Sequence, residues 1–437
     1  MAEQIIAPGT ALSLAETLDI AIARDVWGRA SQARQEALVQ EGLAADTLPN
    51  PQFGIAASNF PTDHFHIDQE AMTQWQVSVK QTFPRGDSRT LTGQRFKVLS
   101  AAEPLGRELR DRELARQVTL LWLNVSRDQA LDALLAAKER VIQRREDYLT
   151  SSTAEGILGA TQVDLLNTAL QRVQLKERRL ALAQNSAQAR GQLSEWLGAD
   201  ALRPIMPLIA PGTPVFTAPE ALILSLSDKA LAALTTDPDA SSQWLNDHPQ
   251  ITRLDKQIEA LQVDIALAEQ SFKPEWALSA SYGYRADDPM GRERADLMSF
   301  GVSFDVPLVN RQQQDSRVSA AKARLAAAQT DRIVTLRQLS AALQQYLQAL
   351  VHSTQRRQHI QTTLLPLAEQ AVDAAIDQYA QQRSAYLEQT QATLQHLDIQ
   401  EQLLRAYYDE LSARANARFY LEPSVDINGR VPTGAEE

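Results

Sequence analysis

The sequence predicts a mainly α fold with a small β part: long coiled-coil helical hairpins joined to four two-faced strands, in a unit that occurs twice. Three observations carry this prediction. First, Thr73 to Pro84 alternates Trp75, Val77, Val79 and Phe83 with Gln74, Gln76, Ser78, Lys80 and Thr82. That is the period of a strand with one apolar and one polar face. Second, the stretch Met298 to Pro307 repeats the pattern at an offset of 223 residues, Val77, Val79 and Phe83 falling on Phe300, Val302 and Val306. Third, apolar residues recur at heptad spacing in long runs beside both copies, the pattern of coiled-coil seams.

Taken in chain order, residues 1–12 are expected to form a tail and 13–202 the first repeat. Its strands are predicted at about 51–58 and 74–83, joined by a polar loop from Asn59 to Glu70. Pro84-Arg85-Gly86 ends the second strand, and Asp87 or Ser88 is expected to cap the helix that follows. The Arg-Gly-Asp triplet therefore reads as a turn and cap in preference to an adhesion motif. A helical hairpin is predicted over about 88–197, with Pro104 inside its first arm and a turn between Thr150 and Gly159. Residues 203–240 are too proline-rich to continue as helix and read as a linker.

The second repeat is expected over 241–421, with strands at about 274–284 and 297–306 and a hairpin over about 311–420. Trp276, Leu278, Ala280, Tyr282 and Tyr284 alternate with small and polar residues. Leu254, Ile258, Leu261, Ile265, Ala268 and Phe272 make one seam, and Leu336, Leu339, Leu343, Tyr346 and Leu350 another. No proline or glycine interrupts Arg311 to Leu365, a segment that as helix spans roughly 80 Å. Pro366 predicts a kink and Gln381 to Ala385 a turn, and 422–437 is expected to be a tail.

Composition excludes several classes. The 437 residues carry a net charge of −11, which weighs against nucleic acid as a partner. There is no cysteine, hence no disulfide or thiolate metal site. No phosphate loop, zinc-protease helix or nucleophile elbow occurs, so an enzyme is not expected. No apolar run is long enough for a transmembrane helix, but barrel strands need only about 9–11 residues. The first residues lack a basic and apolar leader pattern, as in a cytoplasmic protein or a mature chain whose signal peptide has been removed.

Four strands with one apolar face cannot close on themselves, and hydrocarbon tolerates no unpaired edge. Closure requires copies in cyclic symmetry, and three copies give a twelve-stranded barrel with the coiled coils as a tube. On that reading Trp75, Val77, Val79, Phe83, Trp276, Leu278, Phe300 and Val302 face lipid, while Gln76, Ser78 and Lys80 face water.

With these features in place the sequence resembles the TolC-type outer-membrane efflux channels over about residues 13–421. The carriers are the duplicated unit, Asn246-Asp247-His248-Pro249 opening the second repeat, the Asn-Pro and Phe-Pro strand boundaries, and Tyr379 with Leu387-Glu388. Asn59-Phe60-Pro61, Asp68 to Gln74 and Phe83 to Ser88 are similar to the CzcC-like branch that serves heavy-metal efflux pumps. The resemblance implies a homotrimer in the outer membrane with a periplasmic α-helical barrel, docked to an adaptor protein and an inner-membrane pump. It implies no catalysis and no cofactor. By position it also implies a periplasmic gate at the helical turns: Asp164 and Glu388 as acidic rings, Gln391 where some members carry another acid, and Tyr379 as part of the closed-state tether. The alternative for Asp164 and Glu388 is an ordinary solvated helix position.

His64 and His66, with Asp63, Asp68 and Glu70, have metal-ligand chemistry. His-x-His on a loop is a weak pattern, and no metal site is assigned to it. Trp122, Trp196 and Trp244 are expected in helical seams. Two other readings stay open: a drug-efflux or type I secretion channel of the same fold, and a periplasmic coiled-coil adaptor without a pore. The sequence does not separate the cargo metals from one another.

Overall fold

A computed structural model describes residues 11–154, 161–208, 219, 222, 233–307, 311–381 and 386–422. Both predicted turn tips fall in part outside the described residues, as do most of the 203–240 linker and nearly all of the terminal tails.

Helices α1 (Leu14–Arg24) and α2 (Trp27–Ala45) precede strands β1 (Gln52–Ser58) and β2 (Gln74–Phe83). The long helix α3 (Ser88–Ala154) and its return α4 (Gln162–Leu197) follow. After α5 (Pro238–Trp244) and α6 (Pro249–Glu269) come β3 (Trp276–Tyr284) and β4 (Leu297–Phe304). The second hairpin comprises α7 (Arg311–His359), α8 (Leu365–Ala380) and α9 (Tyr386–Leu421). Strands β1 and β3 start a residue or two later than the alternation suggests, and β4 ends two residues earlier. Proline's missing N–H keeps Pro51 and Pro274 out of the ladder.

Helix α3 keeps Pro104 inside it and runs on to Ala154, into the segment from Thr150 to Gly159 expected to hold the turn. In the second hairpin a π-turn over Ile360–Leu364 precedes Pro366, where the sequence predicts a kink. The proline ring crowds the carbonyl four residues back, and a wider turn relieves that clash.

The chain divides into two compact units. The first comprises Met1–Val26, Glu108–His248 and Leu336–Glu437. Its core gathers Leu14, Leu114, Trp122, Leu193, Trp196 and Tyr408, with Leu12 bridged to Ile205 as a parallel pair. Trp122 and Trp196 pack as expected, and the indole of Trp122 donates to the Leu12 carbonyl at 3.3 Å. Leu339, Leu343 and Leu350 of the predicted seam are buried. Buried charges in this unit are paired: Lys138 Nζ lies 2.6 Å from both Asp398 and Glu401.

The second unit comprises Trp27–Arg107 and Pro249–Thr335, and it contains the whole sheet. Helices α2 and α3 approach closely at Gly42 and Gly93, where a Cβ on Gly93 would stand 3.3 Å from the Gly42 carbonyl. The predicted α6 seam is only half-buried and Phe272 is exposed; the fully buried residues are Ile251, Ala260 and Val263.

Candidate functional site

The sheet runs β1-β2-β3-β4, antiparallel throughout, so β1 and β4 each have one edge without a partner among the described residues. Register sorts the side chains. Ile55 lies opposite Val77, Val77 opposite Tyr282, and Tyr282 opposite Met298. The next row on the same face is Phe53, Val79, Ala280 and Phe300. All eight residues predicted to face lipid lie on this face.

The face is bare. Ile55 is 79% exposed, Phe300 77%, Trp75 49% and Trp276 44%. Water penalises such a surface by roughly 25 cal/mol per Å² of apolar area, and contiguous patches of this kind mark membrane or protein contact. Val79 and Phe83 are partly covered by their neighbours. Aromatic rings close both ends of the band. Phe83, Trp276 and Phe304 form the row nearest the helices, with 4.9 Å between the Trp276 and Phe304 ring centroids. Trp75 and Tyr284 form the row nearest the loops, and Phe60 meets Trp75 edge-on at 5.8 Å. Tryptophan at both ends of the band resembles the girdle pattern of membrane barrels, although Tyr282, Phe53 and Phe300 add rings between the two levels and Gln81 is a polar residue on this face.

The opposite face is polar and low. Gln76 donates to Ser281 at 2.7 Å. A Cβ on Gly54 would stand 2.8 Å from Ser78 Oγ, and one on Gly301 2.7 Å from Ser279 Oγ, so this face is crowded at backbone level.

At the helix end, Arg85-Gly86-Asp87 is a turn, as predicted. Gly86 has φ 44°, Arg85 pairs with Asp305 and donates to the Lys273 carbonyl at 2.9 Å, and Asp87 pairs with Lys273 at 3.0 Å. The Asp87 carbonyl takes the Leu91 amide at 2.9 Å, so Asp87 holds the N-cap position. At the other end Arg294 donates to the carbonyls of Asp68 and Glu70, and Arg285 to that of Ala71. These links between the two hairpin loops had no signal in the sequence.

The loop histidines stay exposed, with His64 and His66 ring centroids 6.3 Å apart. The Asp63 carboxylate is taken by the Gln69 amide at 3.0 Å. Among the described residues, no group of three or more histidine, aspartate or glutamate side chains is arranged to hold a metal ion.

The four positions implied as a gate lie near the helical turns of the first unit. Asp164 is the third residue of α4 and forms a capping box with Thr161: its amide meets Thr161 Oγ1 at 3.2 Å and its carboxylate takes the Thr161 hydroxyl and amide. Those hydrogen bonds, and then the charge of Arg145, hold the Asp164 carboxyl below the usual range. Gln391 accepts from Arg145 Nη1 at 3.3 Å. Tyr379 lies 5.8 Å from Tyr386, which in turn lies 4.7 Å from Tyr148. Glu388, in the first turn of α9, is exposed. Arg145 thus bears on both Asp164 and Gln391. The sequence reading did not single it out; its place in a long run of charged helix residues, Lys138 to Asp147, carries no distinguishing signal.

A single four-stranded antiparallel sheet, apolar and exposed on one face, is built from two strand hairpins, each followed in the chain by a long helical hairpin, and this is the fold of solved outer-membrane channels. Solved structures of that class superpose on nearly the whole chain. CusC matches with a TM-score of 0.71 at 13% identity, covering 96% of this chain and 95% of that one. VceC from Vibrio cholerae gives 0.68 at 16% identity, covering 93% and 95%. MtrE from Neisseria gonorrhoeae, solved in an open state, gives 0.68 at 15%, covering 93% and 88%. No family model matches the sequence, and no curated protein sequence does. At these identities the likeness is one of fold.

Proposed function

We propose that this chain is the outer-membrane channel of a tripartite efflux system: a passive, non-enzymatic conduit fed by an inner-membrane pump through a periplasmic adaptor. The observation that carries this is the sheet itself. Its apolar face is exposed with aromatic rows at both ends, and its two outer edges lack partners among the described residues. Both conditions are satisfied together when copies close a barrel in a bilayer. Three copies give twelve strands, with the apolar face toward lipid and the Gln-Ser-Lys face toward a water-filled lumen. Asp164, Glu388, Gln391 and Tyr379 belong to the periplasmic gate, where like charges brought together by symmetry hold water and cations. Heavy-metal cations are the proposed cargo, supported by the CzcC-like residues of the first strand pair.

The test is reconstitution. Purified protein in detergent should cross-link as a trimer, resist unfolding until heated, and give stepwise conductance in planar bilayers. A monomer that inserts nowhere would instead fit a scaffold without a pore. Cargo is read separately, from growth of a strain lacking the gene on zinc, cobalt, cadmium, copper and silver salts beside dyes and antibiotics. Sensitivity to organic compounds alone would reject the metal assignment and leave the channel in place.

A further inference from the structure

The polar face of the sheet carries one charge. Its rows, read across the strands, are Thr82, Ala277 and Ser303; Gln52, Lys80, Ser279 and Gly301; Gly54, Ser78, Ser281 and Ser299; and Ala56, Gln76, Gly283 and Leu297. Lys80 is the sole ionisable side chain among them. It is exposed, its lateral neighbours are Gln52 and Ser279, and among the described residues no hydrogen bond or ion pair holds its ammonium.

Charges at the two ends of the strands are compensated or remote, apart from Glu275, an exposed carboxylate four residues from Ser279 and so about 14 Å along the strand from Lys80. At the helix end Arg85 pairs with Asp305 and Lys273 with Asp87. At the other end Asp296 receives the Tyr282 hydroxyl and the Arg285 amide. The acids of the 59–73 loop begin beyond Gln74, about 20 Å along the strand from Lys80 at some 3.4 Å per residue. That is about twice the screening length at physiological salt.

We propose that Lys80 sets the ion preference of the passage through the sheet. In the trimeric channel proposed above, on which this inference rests, the three copies of Lys80 make one ring of ammonium groups on a wall otherwise lined by hydroxyls, amides and backbone. Among the described residues no acid within the four strands neutralises them. The ring attracts small anions and repels cations in proportion to their charge, so the metal cargo proposed above would cross this part of the conduit against a local bias toward anions, or as anionic complexes.

The chain has no cysteine, so Lys80→Cys places a single thiol at this site, open to modification after the channel has assembled. The measurement is the reversal potential in a potassium chloride gradient across a planar bilayer, at about 0.01 M salt on the dilute side, where screening extends to about 30 Å. Lys80→Gln should lower the chloride-to-potassium permeability ratio about two-fold or more, Lys80→Glu further, and Lys80→Arg should match the parent. In Lys80→Cys channels an added cationic thiol reagent should restore the parent ratio, and an anionic one should drive it the other way. Conducting channels whose ratio does not move across this series would overturn the assignment of Lys80 alone. Absence of any conductance from the parent protein would overturn the channel reading, and this inference with it.

Discussion

Arg145 donates to Gln391 at 3.3 Å, tying the first arm of one hairpin to the second arm of the other across 246 positions of sequence. The same guanidinium lowers the Asp164 carboxyl through space. If the helical turns form the closed end of the conduit, Arg145 is its latch within each chain. Arg145→Ala should raise single-channel conductance severalfold. Gln391→Glu, which turns a neutral contact into a charge-assisted one, should lower it. Equal conductance in all three proteins would remove this contact from the gate.

Asp164 has two candidate jobs, and they separate. As a capping-box residue it helps to start α4. As a gate acid it contributes charge. Asp164→Ala combined with Glu388→Ala should raise conductance and weaken cation preference. Thr161→Ala removes the cap and keeps the carboxylate, so it should leave cation preference at the parent value while lowering the melting temperature slightly. A matching loss of preference in Thr161→Ala would assign the effect to helix fraying.

The two faces of the sheet predict opposite tolerance to charge. Val79→Arg puts a guanidinium in the middle row of the apolar face, where burial in hydrocarbon costs about 2–4 kcal/mol. Ser303→Arg puts the same group on the polar face. Assembly of trimers in lipid vesicles, followed by heat-dependent gel mobility, should fail or slow for the first and proceed for the second. Equal assembly of both would show that the apolar face does not meet lipid.

Lys138 is 5% exposed and faces Asp398 and Glu401. Burial alone would push the Glu401 carboxyl up, but the hydrogen bonds and charges of Lys138 and Arg405 outweigh it and bring it below its ordinary value. A depressed carboxylate stabilises the fold above its unfolded value, and that contribution is lost as pH falls through the folded one. Lys138→Met should therefore destabilise the helical signal by about 2 kcal/mol at neutral pH, between the exposed and buried ion-pair ranges. The gap to the parent should narrow in acid. A constant gap across the titration would mean that packing, not charge, is lost.

His248 is 3% exposed, and its Nε2 lies 3.3 Å from the Phe419 carbonyl. Burial, and then the Arg112 charge, push its pKa down from 6.5 to about 4. The unfolded chain takes up the proton first as pH falls, so stability drops between about 6.5 and 4, by about 3 kcal/mol. His248→Gln should flatten that part of the melting profile. An unchanged slope would place the acid sensitivity elsewhere, with Glu401 the next group to vary.

The period of two made the strands and their faces legible, because alternation is what sorts lipid-side from water-side residues. The register was not legible. Ile55 pairs with Val77, but the residues 223 positions on, Leu278 and Phe300, are not partners; Leu278 pairs with Val302. A slip of two residues keeps every side chain on its face, so the hydrophobic pattern does not detect it. The helix boundary near Pro84 followed from local chemistry. The π-turn before Pro366 did not, since proline signals strain without saying how it is relieved. The Thr161–Asp164 box had a readable spacing, whereas Arg145 and Gln391 meet only because two distant helices lie together.

The glycines and serines of the polar face carry a last consequence. At Gly54 and Gly301 a single added carbon already collides with its neighbour. Alanine and glycine have no rotamers to exchange, and serine turns only about one bond. In an assembled channel the bore at these rows would therefore be set largely by backbone geometry, with Gln52, Gln76 and Lys80 the long side chains left to move. Such a segment behaves as a rigid pipe and not as a valve: its diameter is fixed when the polypeptide closes, and adaptation to cargo of different size has to occur in the helices.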